Sequence, residues 1–319
     1  MVAMLAWAIV GSVVPGATHA AGEAYPAKPV RIVVPFAAGG GADLIARVIG
    51  QKLQEKWGVP VIIDNRGGAG GNIAAEVVAT SPADGYTLFE YNVANAIAVS
   101  VYKKLNYDPV KDFTPVTLIA RSPFILIASP TLAATSVQDL LAQAKANPGK
   151  MSFASSGNGG STHLAGELLK TMAVIDVTHV PYKGAAPAMT DLMAGRVQFM
   201  FVDPASGLSM AKAGKVRAIA VTSQKRTPLA PDLPTVAESG VPGYESGAWF
   251  GLALPANAPR AVVDKLNADV RQVLELPDVR ERLAGYELAG STPEQFGEFV
   301  KAELTRWSRV VKVSGAQAE

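Results

Sequence analysis

The sequence contains no cysteine among its 319 residues. Disulfides, thiolate metal sites, thiol catalysis and a lipid-modified N-terminal cysteine are therefore excluded. It has three histidines, His19, His163 and His179, and His19 lies in a segment that we expect to be removed. No metal centre and no other cofactor is predicted from so small a set of ligating side chains.

Charge of either sign is also scarce. Charged residues make up 18% of the chain, and 29 Lys and Arg against 27 Asp and Glu leave a formal charge of +2. Such balanced, unclustered charge argues against a nucleic-acid partner. The hydrophobic fraction of 49% excludes disorder, and the length leaves room for two ordinary domains.

The N-terminal segment has no charged residue before Glu23. Residues 2–14 are almost wholly apolar and are followed by small residues at Ala17, Thr18, Ala20 and Ala21. The apolar run is too short to span a bilayer, so we predict a signal peptide over residues 1–21, cut near Ala20, and a periplasmic protein. No basic residue precedes the run, and an uncleaved anchor is the alternative.

Short apolar runs alternate with stretches of helical spacing, which predicts an α/β fold. A buried strand at 30–35 leads through glycines into a helix at 42–57, and the same order recurs at 151–172, about 120 residues later. This repeat predicts two α/β domains around a cleft. Domain 1 would be discontinuous, 26–120 with 225–319, and domain 2 would span 121–224.

Other elements follow from the same patterns. Strands are predicted at 59–63, 86–91, 124–128, 177–181, 197–202, 216–222 and 249–254, and helices at 72–80, 135–146, 187–194, 260–275 and 292–312. The segments 119–129 and 218–227 are predicted to cross between the domains.

Two glycine-rich loops, 35–43 and 155–163, each open a helix. Such a loop leaves backbone N–H groups unpaired in front of the positive end of the helix dipole, which suits a carboxylate or phosphate. Neither loop contains Lys or Arg, so binding would depend on amides, dipoles and the hydroxyls of Ser155, Ser156, Ser161 and Thr162. Together the loops would hold both ends of a dicarboxylate, or one carboxylate and a second polar group.

A purely structural role is the alternative for several of these glycines. Gly39, Gly40 and Gly41 would also permit tight packing of the strand on the helix, and the GGAGG turn at 67–71 is interpreted as structural, with Asn72 capping the next helix. Leu44 occupies the position of the third glycine of a dinucleotide fingerprint. No mononucleotide-binding loop is present either.

Three polar side chains lie at the ends of predicted strands or at a helix start. Asp43 is favoured as a helix-start residue, and it would contact a ligand if it also faced the cleft. Asp203 is assigned equally to a turn and to a pocket acceptor. Asn92 is a candidate ligand contact at the carboxyl edge of a sheet.

A serine hydrolase using Ser161 and His163 is the alternative from another functional class. No serine here lies in the GxSxG frame of a nucleophile elbow, and the two residues are too close in sequence for the usual spatially assembled triad. His163 is better explained as an ordinary residue of a helix start, and the chain is predicted not to be an enzyme.

The ordered phrases YPAKPVRIVVPFAAGGGAD (25–43), VIIDNRGGAGGNIAAEVVATSPADGYTL (61–88), SFASSGNGGSTHLAGELLK (152–170) and VPYKGAAPAMTDLMAGRVQFMF (180–201) resemble the Bug, or TctC-like, receptors of the tripartite tricarboxylate transporter family. Shorter phrases at 112–120 and 214–245 extend the resemblance over nearly the whole mature chain. It implies a type II periplasmic-binding-protein fold and a small organic acid as ligand. It also implies membrane transporter subunits or, alternatively, a sensor kinase as partner; a monomer is expected.

The resemblance also implies the ligand-binding residues. The loops at 36–43 and 155–163 would clamp a ligand carboxylate, and the positions of Asn92 and Asp203 would select the rest of the ligand. The predicted set is Phe36, Ala38, Gly39, Gly40, Asp43 and Asn92 in the first domain, and Ser155, Ser156, Gly159, Ser161, Thr162, His163 and Asp203 in the second.

Overall fold

The computed structural model describes residues 25–182 and 184–315. The predicted signal peptide therefore lies outside the described residues. Within these ranges the chain forms two mixed sheets flanked by helices, which confirms the α/β class. No helix in the described ranges is long and apolar enough to cross a membrane.

The elements alternate along the chain as follows: β1 (Val30–Val34), α1 (Gly41–Trp57), β2 (Val61–Asn65), α2 (Asn72–Ala79), β3 (Thr87–Asn92), α3 (Val93–Val101), β4 (Phe113–Pro123), β5 (Ile125–Ala128), α4 (Val137–Ala146), β6 (Ser152–Ser155), α5 (Ser161–Ala173), β7 (Thr178–Pro181), α6 (Ala185–Met193), β8 (Phe199–Val202), α7 (Pro204–Lys212), β9 (Arg217–Val221), β10 (Gly247–Pro255), α8 (Arg260–Leu274), α9 (Pro277–Arg282), β11 (Glu287–Leu288) and α10 (Pro293–Ser314).

The two sheets share one topology. The first has six strands in the order β11-β4-β10-β3-β1-β2, and the second has five in the order β7-β6-β8-β5-β9. In the first, β1 pairs in parallel with β2 and β3, and β10 joins antiparallel; in the second, β6 pairs in parallel with β7 and β8, and β5 joins antiparallel. Each parallel core thus places its loops at the carboxyl ends of its strands, where α/β sheets bind ligands.

Two chain crossings connect the sheets. The first runs from β4 through Phe124 to β5, and the second runs from β9 through residues 222–246 to β10. The Thr222 hydroxyl joins them, since it accepts from the Phe124 N–H at 2.6 Å and donates to the Ser246 carbonyl at 2.5 Å. The division into 26–120 with 225–319 and 121–224 stays a prediction.

Three apolar clusters hold the layers together. One lies between the first sheet and helices α1 and α8, and another covers one face of the second sheet. The largest includes Phe89 from the first sheet, Phe153 from the second and Trp307 from α10, all fully buried. Burial of this size contributes most of the folding free energy, at about 25 cal/mol per Å² of apolar surface.

Most predicted elements are confirmed within a few residues, and the exceptions include α9 and β11, for which no bounds were predicted. Residues 93–101 and 204–212 form α3 and α7, for which no helix was predicted. Residues 113–123 form the long strand β4, part of which was assigned to a domain crossing. Pro115 and Pro123 obscured this strand, and β4 accommodates them because its pairing with β10 is irregular.

Candidate functional site

Helices α1 and α5 begin at uncapped glycines in equivalent places of the two sheets, as α2 also does at Gly71 and α6 at Gly184. Gly40 precedes α1 with φ −90° and ψ 177°, and Gly160 precedes α5 with φ −78° and ψ 167°; neither helix start has a side-chain cap. The N–H groups of each first turn therefore lack the side-chain acceptor that Ser, Thr, Asn or Asp supplies elsewhere. Each end can accept an anion from outside the helix.

The glycine before each cap is held by a side chain of the helix that it opens. The Gly39 N–H donates to Asp43 Oδ2 at 2.9 Å, and the Gly159 N–H donates to His163 Nδ1 at 3.0 Å. Both glycines have positive φ, +97° and +71°, which only glycine adopts without strain. Asp43 and His163 are both buried, so the structure places these two predicted ligand contacts as internal braces of the loops.

Hydrogen bonds of Arg47 and Asn65 hold the first loop in its conformation. Arg47 binds the Asp43 carboxylate, with Nε 3.0 Å from Oδ2, and also donates to Asn65 Oδ1 at 3.2 Å. Asn65 in turn donates to the Phe36 carbonyl at 3.0 Å. The Arg47 hydrogen bond, with a smaller part from Gly39, lowers the pKa of Asp43, so this brace remains ionised.

The outer surface of the first loop is open. Residues 36–40 are exposed, including Phe36, and a Cβ added at Gly39 or Gly40 would meet no atom within 4 Å. The space in front of the α1 N-terminus is therefore free for a small molecule. Phe36, Ala38, Gly39 and Gly40 lie at this surface, and their contact with a ligand stays a prediction.

The GGAGG turn supports this loop from behind. A Cβ at Gly67 would lie 3.3 Å from the Ala37 backbone nitrogen, and one at Gly71 would lie 3.0 Å from Pro35. The predicted cap was wrong: Gly71 is the cap of α2, and the buried Asn72 side chain accepts from the Tyr107 hydroxyl at 2.8 Å.

Of the four hydroxyl-bearing residues in the second loop, one is buried and three are accessible to solvent. Ser155 is fully buried, and its Oγ lies 2.7 Å from His179 Nε2 and donates to the Gly157 carbonyl at 3.0 Å. Ser156 is exposed, and its Oγ lies 3.0 Å from Thr162 Oγ1. Ser156, Ser161 and Thr162 thus remain at the accessible surface, whereas Ser155 is turned into the domain.

Two stacked imidazoles lie beneath this loop. The His163 and His179 rings are nearly parallel, with centroids 3.7 Å apart. Burial lowers the pKa of His163 to about 4, and burial together with the charges of His163 and Lys170 lowers that of His179 to about 3. Both rings are therefore neutral at neutral pH, when His163 Nδ1 can accept from Gly159. Sequence reasoning missed His179 because β7 brings it in from 24 residues away.

Asn92 and Asp203 occupy equivalent positions, each capping the helix after the third parallel strand of its sheet. Asn92 Oδ1 accepts from the Ala94 N–H at 2.9 Å, and Asp203 Oδ1 accepts from the Ser206 N–H at 2.9 Å. Asn92 is buried, and its Nδ2 donates to Glu90; Asp203 is exposed. Of the pair, Asp203 presents its carboxylate to the outside.

The arrangement expected of a hydrolase is not formed by Ser161 and His163. His163 Nδ1 accepts from Gly159, and Nε2 faces the Glu167 carboxylate at 3.8 Å. The serine that does meet a histidine, Ser155, has no exposed surface. In the described ranges no cluster of His, Asp and Glu could hold a metal ion.

Replacing His163 tests the brace. We expect His163→Leu to weaken ligand binding about three- to tenfold, because the Gly159 N–H loses its acceptor and the loop loses its fixed shape. His163→Asn, whose Oδ1 lies near the position of Nδ1, should restore most of the affinity. Isothermal titration calorimetry with a carboxylate ligand measures the affinity of both variants. Equal losses of affinity in the two variants would contradict the role of His163 as a brace of the loop.

Known proteins match this chain over most of its length. Residues 45–316 match the family described as the tripartite tricarboxylate transporter family receptor. Among solved structures, R. palustris Rpa4515 with adipate is 41% identical with a TM-score of 0.78, covering 92% of this chain and 99% of its own. MatC from Rhodopseudomonas palustris with bound malate is 34% identical with a TM-score of 0.74, covering 90% and 100%.

A third solved structure is the periplasmic binding protein BugD, which is 36% identical with a TM-score of 0.75 and covers 92% of this chain and all of its own. Each of these likenesses covers at least 90% of this chain. The predicted type II periplasmic-binding-protein fold is thereby confirmed.

Proposed function

The chain belongs to the tripartite tricarboxylate transporter receptor family, and from this premise we propose that it captures a small organic acid between the loops at 36–43 and 155–163. The observation that carries the proposal is the pair of uncapped helix starts at Gly40 and Gly160, one on each sheet. A ligand that contacts both would favour the closed arrangement of the two domains.

The chemistry of both loops favours a carboxylate. Amides of a helix N-terminus bind an anion through charge-assisted hydrogen bonds, each contributing about 1.5–3 kcal/mol. Since neither loop has a cation, a compact carboxylate that uses few donors suits them better than a multiply charged phosphate. Adipate and malate in the solved relatives are consistent with a dicarboxylate of four to six carbons.

The remaining parts of the proposal concern export and partners. The receptor would act in the periplasm after removal of residues 1–21 and would pass its ligand to integral membrane subunits of a transporter. It would act as a monomer with domain 1 formed by 26–120 with 225–319 and domain 2 by 121–224. It would catalyse no reaction, since the only serine–histidine pair described above, Ser155 with His179, is buried.

A thermal-shift measurement tests the proposal. The mature protein, refolded from denaturant to remove any copurified ligand, is heated with adipate, malate, citrate, glutamate or acetate. Ligand at 100 times Kd stabilises the folded state by about 2.7 kcal/mol, which raises the melting temperature by several degrees in a protein of this size.

The control is the same carbon chain without charge. Adipamide should give no shift where adipate does, because a neutral amide does not benefit from the helix dipoles. An equal shift with adipamide, or none with any acid of the panel, would overturn carboxylate capture.

A further inference from the structure

Tyr286 places a hydroxyl at the start of α1. It follows α9 and precedes β11, and its side chain is half-buried. A Cβ added to Gly41, the first residue of α1, would lie 2.7 Å from the Tyr286 hydroxyl oxygen and 3.6 Å from its Cζ. The absence of a side chain at Gly41 is therefore what admits this hydroxyl to the helix end.

Packing fixes the orientation of the Tyr286 ring, but its hydroxyl has no hydrogen-bond partner among the described residues. Tyr286 packs edge-on against Phe250, with centroids 5.7 Å apart and planes at 81°. Among the described residues the hydroxyl makes no hydrogen bond, whereas the tyrosine hydroxyls of Tyr91, Tyr107 and Tyr244 do. A half-buried phenol normally finds a partner, so this one is available to a bound molecule.

Tyr286 is also within the electrostatic reach of the opposite sheet. Burial, and then the charge of Asp203, raise the pKa of Tyr286. Asp203 caps α7 on the second sheet, so a charge of the second sheet acts on a hydroxyl that lies at the start of α1 beside the first sheet. A tyrosine with its ordinary pKa of about 10 is already protonated at neutral pH, and the raised pKa of Tyr286 keeps it a donor over a wider pH range.

We infer that Tyr286 is a specificity-determining residue of the ligand site, whose hydroxyl donates to the ligand carboxylate held at the N-terminus of α1. This inference rests on the proposed function and extends it. In a loop without cations, one neutral donor beside the first-turn amides completes the coordination of a carboxylate. The same donor offers nothing to an apolar group, so it selects which end of a ligand enters this half of the cleft.

Removing one oxygen atom tests the inference. Tyr286→Phe keeps the ring on Phe250, and we expect it to weaken binding of adipate or malate, whichever binds better, about tenfold. Its melting temperature without ligand should equal that of the wild type. The control is Tyr102→Phe, which removes a hydroxyl that lies 3.0 Å from the Cβ position of Gly70 in the GGAGG turn and should leave the affinity unchanged.

A double-mutant cycle that combines Tyr286→Phe with Gly41→Ala distinguishes a direct effect of the Tyr286 hydroxyl from a general distortion of the site. Gly41→Ala puts a methyl group against the Tyr286 oxygen and should displace it, which weakens binding. In the Tyr286→Phe background the nearest ring atoms are Phe250 Cζ at 3.4 Å and the Cζ at position 286 at 3.6 Å, both ordinary contacts, so adding Gly41→Ala should cost little more. The two changes are therefore expected to be strongly non-additive.

The outcomes are distinct. If the wild type binds a carboxylate and Tyr286→Phe binds it equally well, the inference is wrong and the proposed function stands. The inference is also wrong if Tyr102→Phe loses as much affinity as Tyr286→Phe, or if the cycle is additive. If the wild type binds no carboxylate, the inference falls together with the proposed function.

Discussion

Gly40→Val is expected to abolish measurable carboxylate binding and to leave the fold intact. At φ −90° and ψ 177° valine meets no backbone strain, and its Cβ would contact no atom within 4 Å. The side chain must therefore project into the open space before α1 and exclude the ligand from the first-turn amides. Losing two charge-assisted hydrogen bonds corresponds to a loss of affinity of at least about 100-fold.

Binding is measured by isothermal titration with the best acid of the panel, and folding by the melting temperature without ligand. Gly297→Val in α10 is the matched control, because the nearest atom to its Cβ is Pro115 Cγ at an ordinary 3.4 Å and it lies on a helix outside both loops. It should bind like the wild type. Unchanged affinity in Gly40→Val would show that the ligand does not use the α1 N-terminus.

Ser156→Ala tests the loop at 155–163, and we expect it to weaken binding less than Gly40→Val does. Ser156 is exposed and its backbone N–H donates to Thr162 Oγ1 at 3.2 Å, a bond that alanine keeps. The hydroxyl is lost together with its 3.0 Å contact to Thr162 Oγ1, so a decrease in affinity of about threefold to tenfold is expected. If both loop variants bound at wild-type affinity, a clamp made of two loops would be wrong.

The strands and glycine-rich loops were predictable because their signals are local. All residues of β1 except Arg31 are β-branched, and α1 and α5 carry apolar residues at helical spacing directly after glycines. α3 was missed because its sequence VANAIAVSV is apolar on most sides and buried between layers, which leaves little helical periodicity to detect. α7 was missed because serine and glycine weaken its pattern.

The arrangement of the site depended on contacts that no local pattern encodes. The sequence predicted two loops as anion-binding sites, but it did not predict that the Gly39 and Gly159 amides are occupied by Asp43 and His163. The contribution of Tyr286 was invisible for the same reason, since the fold brings it to Gly41 from a distant part of the chain. Residue type predicted the chemistry, and tertiary structure decided which groups remain available for it.

Glu90 is expected to make the protein less stable as the pH rises from about 4.5 to about 8. This carboxyl is fully buried in β3; Oε2 accepts from Asn92 Nδ2 at 2.9 Å, and Oε1 has no hydrogen-bond partner among the described residues. Burial raises its pKa to about 8, opposed only in part by the Asn92 hydrogen bond. Within residues 25–182 and 184–315, no cation contributes to the pKa of Glu90 or offsets the cost of ionising it there.

The sign follows from proton counting. Between about pH 4.5 and 8 the unfolded chain has lost this proton and the folded protein retains it, so the free energy of unfolding falls as the pH rises. Because burial raises the pKa of Glu90 from 4.5 to about 8, the free energy of unfolding lost over this range is on the order of several kcal/mol. Above pH 8 both states are ionised and the loss is complete.

Glu90→Gln removes the proton linkage and keeps an oxygen for Asn92. We expect its melting temperature to exceed that of the wild type by several degrees at pH 8, and the two to converge near pH 4. The depressed pKa values of His163 and His179 destabilise both proteins equally in acid, so they cancel in this difference. The exposed Glu281→Gln on α9 serves as the control. A constant difference between wild type and Glu90→Gln from pH 4 to 8 would mean that Glu90 is ionised in the folded protein, and that a cation or water compensates its burial.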